Sequence, residues 1–281
     1  MTTEEIELRD VPGPSALGGG WRRSLDLLYL IAVTNFKKTY FGTLLGYVWS
    51  LARPLMVFGV LLVVFTKVFH LSRHVPHYPV FLLMDVVLFG FFQEATLGSV
   101  GSIVGHESIV RKTQFPRAVI PLSVVCTSLF NLSLNLVAVF AFVIGFGVAF
   151  SWTWALIAVV VLALFIISAA VAMIVSVLYP RFRDVAIIWT VMSTALFYGT
   201  PALYPIWVLH PAIRNVIALN PLAPIFELAQ RWVTYPKTPW PWAPAAGGPW
   251  RFAVAVAIYA TVCLLALWLF NREAPRIAEE L

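Results

Sequence analysis

The stretch AVIPLSVVCTSLFNLSLNLVAVFAFVIGFGVAFSWTWALIAVVVLALFIISAAVAMIVSVLYP, residues 118–180, has no charged side chain in 63 positions between Arg117 and Arg181. A helix crosses the hydrocarbon core of a bilayer in about 20 residues. The stretch therefore holds two crossings and a tight turn. Ser151, near Gly147 and beside Trp152 and Trp154, marks the turn, because tryptophan favours the membrane–water boundary. The expected spans are 118–148 and 154–178.

The pattern continues on both sides. Phe252–Asn271 is an uncharged run of 20 closed by Arg251 and Arg272. Val185–Ile213 is an uncharged run of 29, broken by Gly199, Pro201 and Pro205, so its first part, 185–204, reads as the span. Upstream, Tyr47–Phe69 carries Arg53 and Lys67 near its ends, where both can snorkel, and Tyr78–Val104 carries Asp85 and Glu94. The expected fold is an all-α membrane protein with six transmembrane helices, at 47–69, 78–104, 118–148, 154–178, 185–204 and 252–271. Residues 1–46 form a cytoplasmic N-terminus, 47–271 the transmembrane domain and 272–281 a cytoplasmic tail.

Composition agrees with lipid as the solvent. Of 281 residues, 60% are apolar and 11% charged, against about 45–50% and 25% in a soluble domain. The net charge of +6 comes from 19 basic and 13 acidic residues. The basic residues are scattered between apolar runs, without an arginine stripe or a DNA-reading motif, so no nucleic-acid partner is expected. Placed on the six-span topology, 13 fall on the side of the N-terminus and 6 on the other. The positive-inside rule then puts both termini in the cytoplasm of a plasma (inner) membrane protein. Residues 1–20 are polar and acidic, so no cleavable leader is expected. Cys126 and Cys263 lie in apolar runs, which excludes a disulfide framework or a zinc site.

Six spans leave no block longer than about fifty residues, too few for a nucleotide-hydrolysing domain, and no phosphate-loop motif occurs. The chain is expected not to be an enzyme on its own.

Several segments between the spans carry information. Residues 21–41 form an amphipathic helix: Trp21, Leu25, Leu28, Ala32 and Phe36 share one face, with Arg22, Arg23, Asp26, Lys37 and Lys38 opposite. It reads either as a surface anchor among membrane lipids or as an anchor that also touches a cytoplasmic partner. The polar segment 105–117, GHESIVRKTQFPR, reads as a helix stopped by Phe115-Pro116, or as a charged loop that obeys the charge rule. Before the last span, 205–250 holds apolar pieces too short to cross. These are a helix at 206–218 and one capped by Asn220-Pro221 and running through APIFELAQRWV, the pattern of re-entrant helices on the outer side. Residues 235–250 form a proline- and tryptophan-rich interfacial loop. Asp85 and Glu94 are nine residues apart, about 900° of helix, and so face opposite ways rather than pairing as acid and base. Glu94 is expected near a polar groove, and Asp85 close enough to the outer boundary to be solvated.

A resemblance enters at the first span. The run Lys38-Thr-Tyr-Phe-Gly-Thr-Leu-Leu-Gly46-Tyr-Val-Trp49-Ser-Leu-Ala-Arg-Pro54 resembles the signature of polysaccharide-exporting ABC transporter permeases of the type-2 exporter superfamily, which includes O-antigen, teichoic acid and galactan exporters. Phe115-Pro116-Arg117 with Ile120-Pro121-Leu122, Arg183-Asp184-Val185, and Asn220-Pro221 with Glu227 resemble further family motifs in the same order. The resemblance implies a six-span subunit that pairs with a second copy of itself and with two ATPase chains, to move a lipid-linked polysaccharide to the outer side. It implies no cofactor or metal on this chain, with ATP and magnesium held by the ATPase. Under it, Glu107, Ser108, Arg111, Lys112, Phe115, Pro116 and Arg117 couple to the ATPase, and Trp21, Arg22, Arg23, Lys37 and Lys38 belong to the interface helix. Trp49, Phe58, Phe65, Trp189, Phe197 and Tyr198 are candidates for the path, because aromatic rings stack on sugars. Tyr204, Trp207, Asn220, Pro221, Glu227 and Arg231 are candidates for an outer gate. Asp85 and the long 235–250 stretch depart from the family pattern.

Two alternatives stand beside this reading. One is a type-2 permease for a drug or small amphiphile, against which the Leu44–Pro54 run argues. The other is a membrane-embedded glycan-processing enzyme, which needs acid or histidine clusters. The one histidine cluster, His70, His74 and His77, is interrupted by Pro76 in a short loop. Arginines outnumber lysines 14 to 5, which hints at a GC-rich genome and a galactan-type substrate.

Overall fold

The computed structural model describes residues 21–40, 46, 48–73, 75–107, 116–148, 150–235 and 248–274. Among them every regular element is helical. In chain order these are α1 (Trp21–Tyr40), α2 (Val48–Val63, continued by a π-turn Val64–Val68), α3 (Tyr78–Ser99), α4 (Ser102–Gly105) and α5 (Val119–Gly145). After them come α6 (Ile157–Leu178), α7 (Val185–Gly199), α8 (Pro211–Ile217), α9 (Ala223–Ala229, continued by a π-turn Gln230–Thr234) and α10 (Pro249–Glu273).

Five of these segments are long and apolar enough to cross a membrane: Val48–Val68, Tyr78–Ser99, Val119–Gly145, Trp152–Leu178 and Pro249–Glu273. The sixth expected span, 185–204, is a 15-residue helix, α7, ended at Gly199 before Thr200-Pro201. The expectation of a helix entered at Asn220-Pro221 needs adjusting. Asn220 Oδ1 accepts the Leu222 N–H at 2.9 Å, which caps a turn, and the α-helix proper begins at Ala223 with Pro224 in its first turn.

α3 is the hub. It is 78% buried over its membrane-length window, against 6% for the segment containing α2. It packs most widely on α5, then on α6 and α2, while α10 leans on α6 and α1 on α5. Its apolar residues run all the way round the helix, as burial on every side requires. Phe81, Phe89, Phe92 and Leu88 are fully enclosed. At the Ser99 end Gly98 permits the approach of α5: a Cβ there would meet Val124 Cγ1 at 3.1 Å.

At the Tyr78 end the chain from Thr200 to Pro205 is irregular yet largely buried. Backbone groups in such a place need partners, since water is absent. Side chains supply them. Tyr78 donates its hydroxyl to the Leu203 carbonyl (2.9 Å), and Asn220 Nδ2 donates to the Gly199 carbonyl (3.0 Å) and to Thr200 Oγ1 (2.9 Å). Tyr204 donates to the Tyr198 carbonyl (2.6 Å), Tyr235 to the Pro76 carbonyl (2.9 Å) and Thr153 to the Trp232 carbonyl (2.6 Å). Gln230 Nε2 reaches both the Pro201 carbonyl (2.8 Å) and Asp85 Oδ2 (2.7 Å). Asp85, expected to be solvated, is instead wholly buried. It lies two helical turns into α3, where the folded-back outer segment covers it.

Removing one partner of a buried pair leaves the other unsatisfied, at a cost of about 1–3 kcal/mol, more if it is charged. Gln230→Leu should therefore lower the unfolding free energy in detergent by an amount in that range. Asp85→Asn, which keeps an oxygen for the Gln230 amide, should cost much less. Equal losses would remove the Asp85–Gln230 bond from the forces that hold the outer segment.

Candidate functional site: two membrane faces and the helices between them

The segment that begins with Gly105 and ends at Arg117 springs from a separate small core at the Ser99 end of the bundle. Ile103 of α4, Ile120 of α5, Val177 of α6, and Phe270 and Ala274 at the end of α10 pack together, apart from the main core. Ser99 Oγ reaches the Pro121 carbonyl at 3.4 Å, and His106 Nδ1 lies 2.8 Å from the Ser102 carbonyl. The Arg117 guanidinium donates to the Ala274 carbonyl, where the negative end of the α10 dipole favours a cation. Of the residues expected to couple to a partner, Glu107 is half-buried at the segment's start, Pro116 is exposed and Arg117 is turned inward onto α10. Ser108, Arg111, Lys112 and Phe115 lie outside the described residues.

α1 lies against α5. Ala32 is fully buried, its carbonyl accepts the Thr127 hydroxyl at 3.2 Å, and Phe36 meets Phe130 edge to face at 5.7 Å. Leu25, Tyr29 and Leu30 stay exposed, and so do Lys37 and Lys38. The side chains of Trp21, Arg22 and Arg23 lie outside the described residues.

The six aromatic path candidates divide by environment. Trp49 (56% exposed) and Tyr198 (59%) are open. Phe58 turns into the core, edge to face with Phe142 at 5.6 Å. Phe65 stacks on Phe69, Trp189 meets Phe92 edge to face at 6.3 Å, and Phe197 packs on Phe89 at 5.0 Å. α7 is open along a stripe of Ile187, Ile188, Val191, Met192 and Tyr198, and Ser193 is its one buried residue. α2 likewise exposes Trp49, Met56, Val60 and Val63.

At the opposite face, Tyr204, Asn220 and Pro221 belong to the folded-back segment described above. Trp207 packs edge to face on Tyr235 at 5.6 Å. Glu227 of α9 is half-buried, and burial pushes its carboxyl up to about 8. Arg231 is half-buried one turn further along. The histidine cluster does not assemble in what is described: His70 Nδ1 sits 3.2 Å from the Val68 carbonyl, and His74 lies outside the described residues.

Two residues that the sequence reading passed over hold important positions. Gln230 is the partner of Asp85. Asn131 of α5 donates an amide hydrogen to Glu94 Oε1. Both are amides inside apolar helical runs, which was the available signal.

A bundle of long apolar helices, with one charged segment rooted in a small core at one end and a folded-back apolar segment at the other, describes a multi-pass membrane protein. The chain belongs to the ABC-2 type transporter family, whose sequence pattern it matches over residues 26–231. It is 33% identical over 199 residues to an O-antigen export system permease protein RfbA of Klebsiella pneumoniae, covering 70% of this chain and 76% of the relative. A protein of the same name from Myxococcus xanthus is 28% identical over 206 residues, covering 73% and 78%. Both of these relatives are named as permeases of O-antigen export systems.

Glu227 gives a pH test. An unfolded chain ionises it near the ordinary 4.5, whereas the folded protein holds the proton to about 8. Between those values the folded state binds more protons, so stability falls as pH rises, with the whole penalty present above about pH 8. Glu227→Gln lacks that penalty. Its unfolding free energy should match that of the unaltered protein below pH 4.5 and exceed it increasingly towards pH 9, by up to about 5 kcal/mol at 1.36 kcal/mol per unit, less whatever solvent at the half-buried carboxyl screens. A constant offset across that range would show that Glu227 ionises normally.

Proposed function

We propose that the chain is the membrane half of an exporter that carries a lipid-linked polysaccharide from the cytoplasmic to the outer side of the inner membrane. Two copies form the pathway. Two separate ATPase chains, holding ATP and magnesium, drive it. α7 with its extended continuation to Pro205 is the remaining crossing, giving six, and both termini are cytoplasmic, as the 13-to-6 distribution of basic residues favours. The saccharide would be of the O-antigen, teichoic acid or galactan type.

One observation carries the proposal. The segment 105–117 leaves and re-enters a packed plate made by the ends of four helices, α4, α5, α6 and α10. A force on that segment from an ATPase would move those helix ends together, because close-packed cores shift as units. α2 and α7 contribute nothing to this plate and keep open faces, so they are the surfaces on which a second copy and the glycan would meet. Trp49 and Tyr198 are the aromatic rings best placed to meet the sugar. The folded-back segment 200–235, with Tyr204, Trp207, Asn220, Pro221, Glu227 and Arg231, would gate the exit. Arg117 then acts inside the permease by holding α10, and Glu107, with Ser108, Arg111, Lys112, Phe115 and Pro116, meets the ATPase.

The test is purification with a candidate ATPase chain from the same cells, followed by ATP hydrolysis with and without lipid-linked glycan. The complex should copurify and hydrolyse ATP faster with glycan. Glu107→Lys should insert normally yet lower export by about tenfold or more, as a reversed interface charge worth a few kcal/mol implies. Failure to copurify, with surface glycan unchanged when the chain is deleted, would rule the reading out. Unchanged export by Glu107→Lys would remove only that residue.

A further inference from the structure

Glu94 is the one carboxylate in α3 not locked inside the fold. Its side chain is exposed, on the opposite side of the helix from buried Asp85. It lies five residues before Ser99, about 8 Å along the helix from that end. An open carboxylate at such depth in an apolar helix is costly to keep unless something polar meets it.

Polar groups from two other helices gather around it. Asn131 of α5, 4% exposed, donates its amide to Glu94 Oε1, and Ser128, 2% exposed, also hydrogen-bonds the carboxylate. Arg53 of α2, five residues into its own helix and exposed, is the cation whose field reaches Glu94. Ser128, Asn131 and Asn135 recur at spacings of three and four, and so share one face of α5. Asn135 Oδ1, a turn above Asn131, is enclosed with no hydrogen-bond partner among the described residues. One turn above Glu94 on α3, Gly90 leaves open space: a Cβ there would meet no atom within 4 Å.

The chemistry of the group selects its ligand. A phosphate would be repelled by the Glu94 carboxylate. A bare metal ion would need several oxygen ligands, but Asn131 turns an N–H rather than an oxygen to the carboxylate, and no group of three or more His, Cys, Asp or Glu occurs among the described residues. A carboxylate, two amides, a hydroxyl and a nearby guanidinium offer acceptors and donors side by side. Sugar hydroxyls, each both donor and acceptor, match that set.

We propose that Glu94, Ser128, Asn131 and Asn135, with Arg53 beside them, form a saccharide-hydroxyl subsite in the cytoplasmic half of the path, where the first sugars next to the lipid carrier are held before they move outward. This deepens the export reading and rests on it. Glu94 accepts from a sugar hydroxyl on its free edge while Asn131 fixes its orientation, and Asn135 supplies the next acceptor a turn higher. The subsite distinguishes a glycan from its bare lipid anchor.

The experiment uses the chain with its ATPase partner in lipid nanodiscs and two probes: the producing cells' own lipid-linked glycan, and the same polyprenyl diphosphate without sugars. For Glu94→Gln and Asn135→Leu, the concentration of lipid-linked glycan that half-maximally stimulates ATP hydrolysis should rise about tenfold, the equivalent of one or two lost hydrogen bonds to a charged or buried group. The response to bare polyprenyl diphosphate should be unchanged. Asn135→Leu separates this from a structural role, because the oxygen it removes has no partner among the described residues. Glu94→Gln keeps the shape, so an unaltered unfolding midpoint shows that the fold is retained. Variants whose response shifts equally for both probes, or for neither, overturn the subsite and leave the export reading standing. A wild-type complex that does not form, or ignores both probes, overturns the export reading and the subsite with it.

Discussion

Irregular backbone enclosed by apolar helices must find every hydrogen-bond partner within the protein, and the Tyr78 end of this molecule is built around that constraint. The chain leaves α7 at Gly199, passes Pro201, Pro205, Pro211 and Pro221 through bends and the short α8, and returns as α9. Its carbonyls at Tyr198, Gly199, Pro201 and Leu203 are met by Tyr204, Asn220, Gln230 and Tyr78, which come from positions scattered between residue 78 and residue 230. An unmet carbonyl in such a place costs several kcal/mol. The same set of bonds reaches Asp85, whose Oδ1 has no partner among the described residues but whose Oδ2 has one. Its oxygen is the second acceptor for an amide already committed to the Pro201 carbonyl. The acid therefore belongs to the anchorage of the folded-back segment on α3.

The opposite end follows a different logic. There the fixed points are apolar contacts and one guanidinium placed on the carboxyl end of α10. Arg117 and Glu107 bound the same polar segment, yet the first is drawn into the permease and the second is left near the surface. A coupling element needs both: one end that a partner can push and one that transmits the push to the helices behind it. Tyr179, with the Arg183 guanidinium 5.0 Å above its ring, closes the same end of α6.

Much of this was legible in sequence because hydrocarbon punishes charge. The charge-free runs end at Arg117, Arg181, Arg251 and Arg272, and the helices α5, α6 and α10 end within a few residues of those points. Less legible was anything that depended on a partner far along the chain. Nothing local to Asp85 announces Gln230, 145 residues away. Trp152 and Trp154 are equivalent in composition and nearly adjacent, but one is 86% exposed and the other 6%, stacked on Phe140 at 5.4 Å. Phe58 and Trp49 show the same split on α2: both are aromatic, and only packing against α5 decides that Phe58 is core.

The two acids of α3 make the general point. Their nine-residue spacing sets them on opposite faces, and this much follows from helix geometry alone. What each face meets follows from the neighbours. The Asp85 face is covered by the returning outer segment, which brings an amide and excludes water, so the carboxyl becomes a structural joint. The Glu94 face looks towards α2 and α5, where one amide and one hydroxyl orient it and, among the described residues, no segment closes over it. A carboxylate held in one orientation while one edge stays open is poised to recognise something that passes. α3 thus joins the closed joint at Asp85 to the open contact at Glu94 within a single helix about 33 Å long, and under the proposed export both ends of the path would share one rigid element.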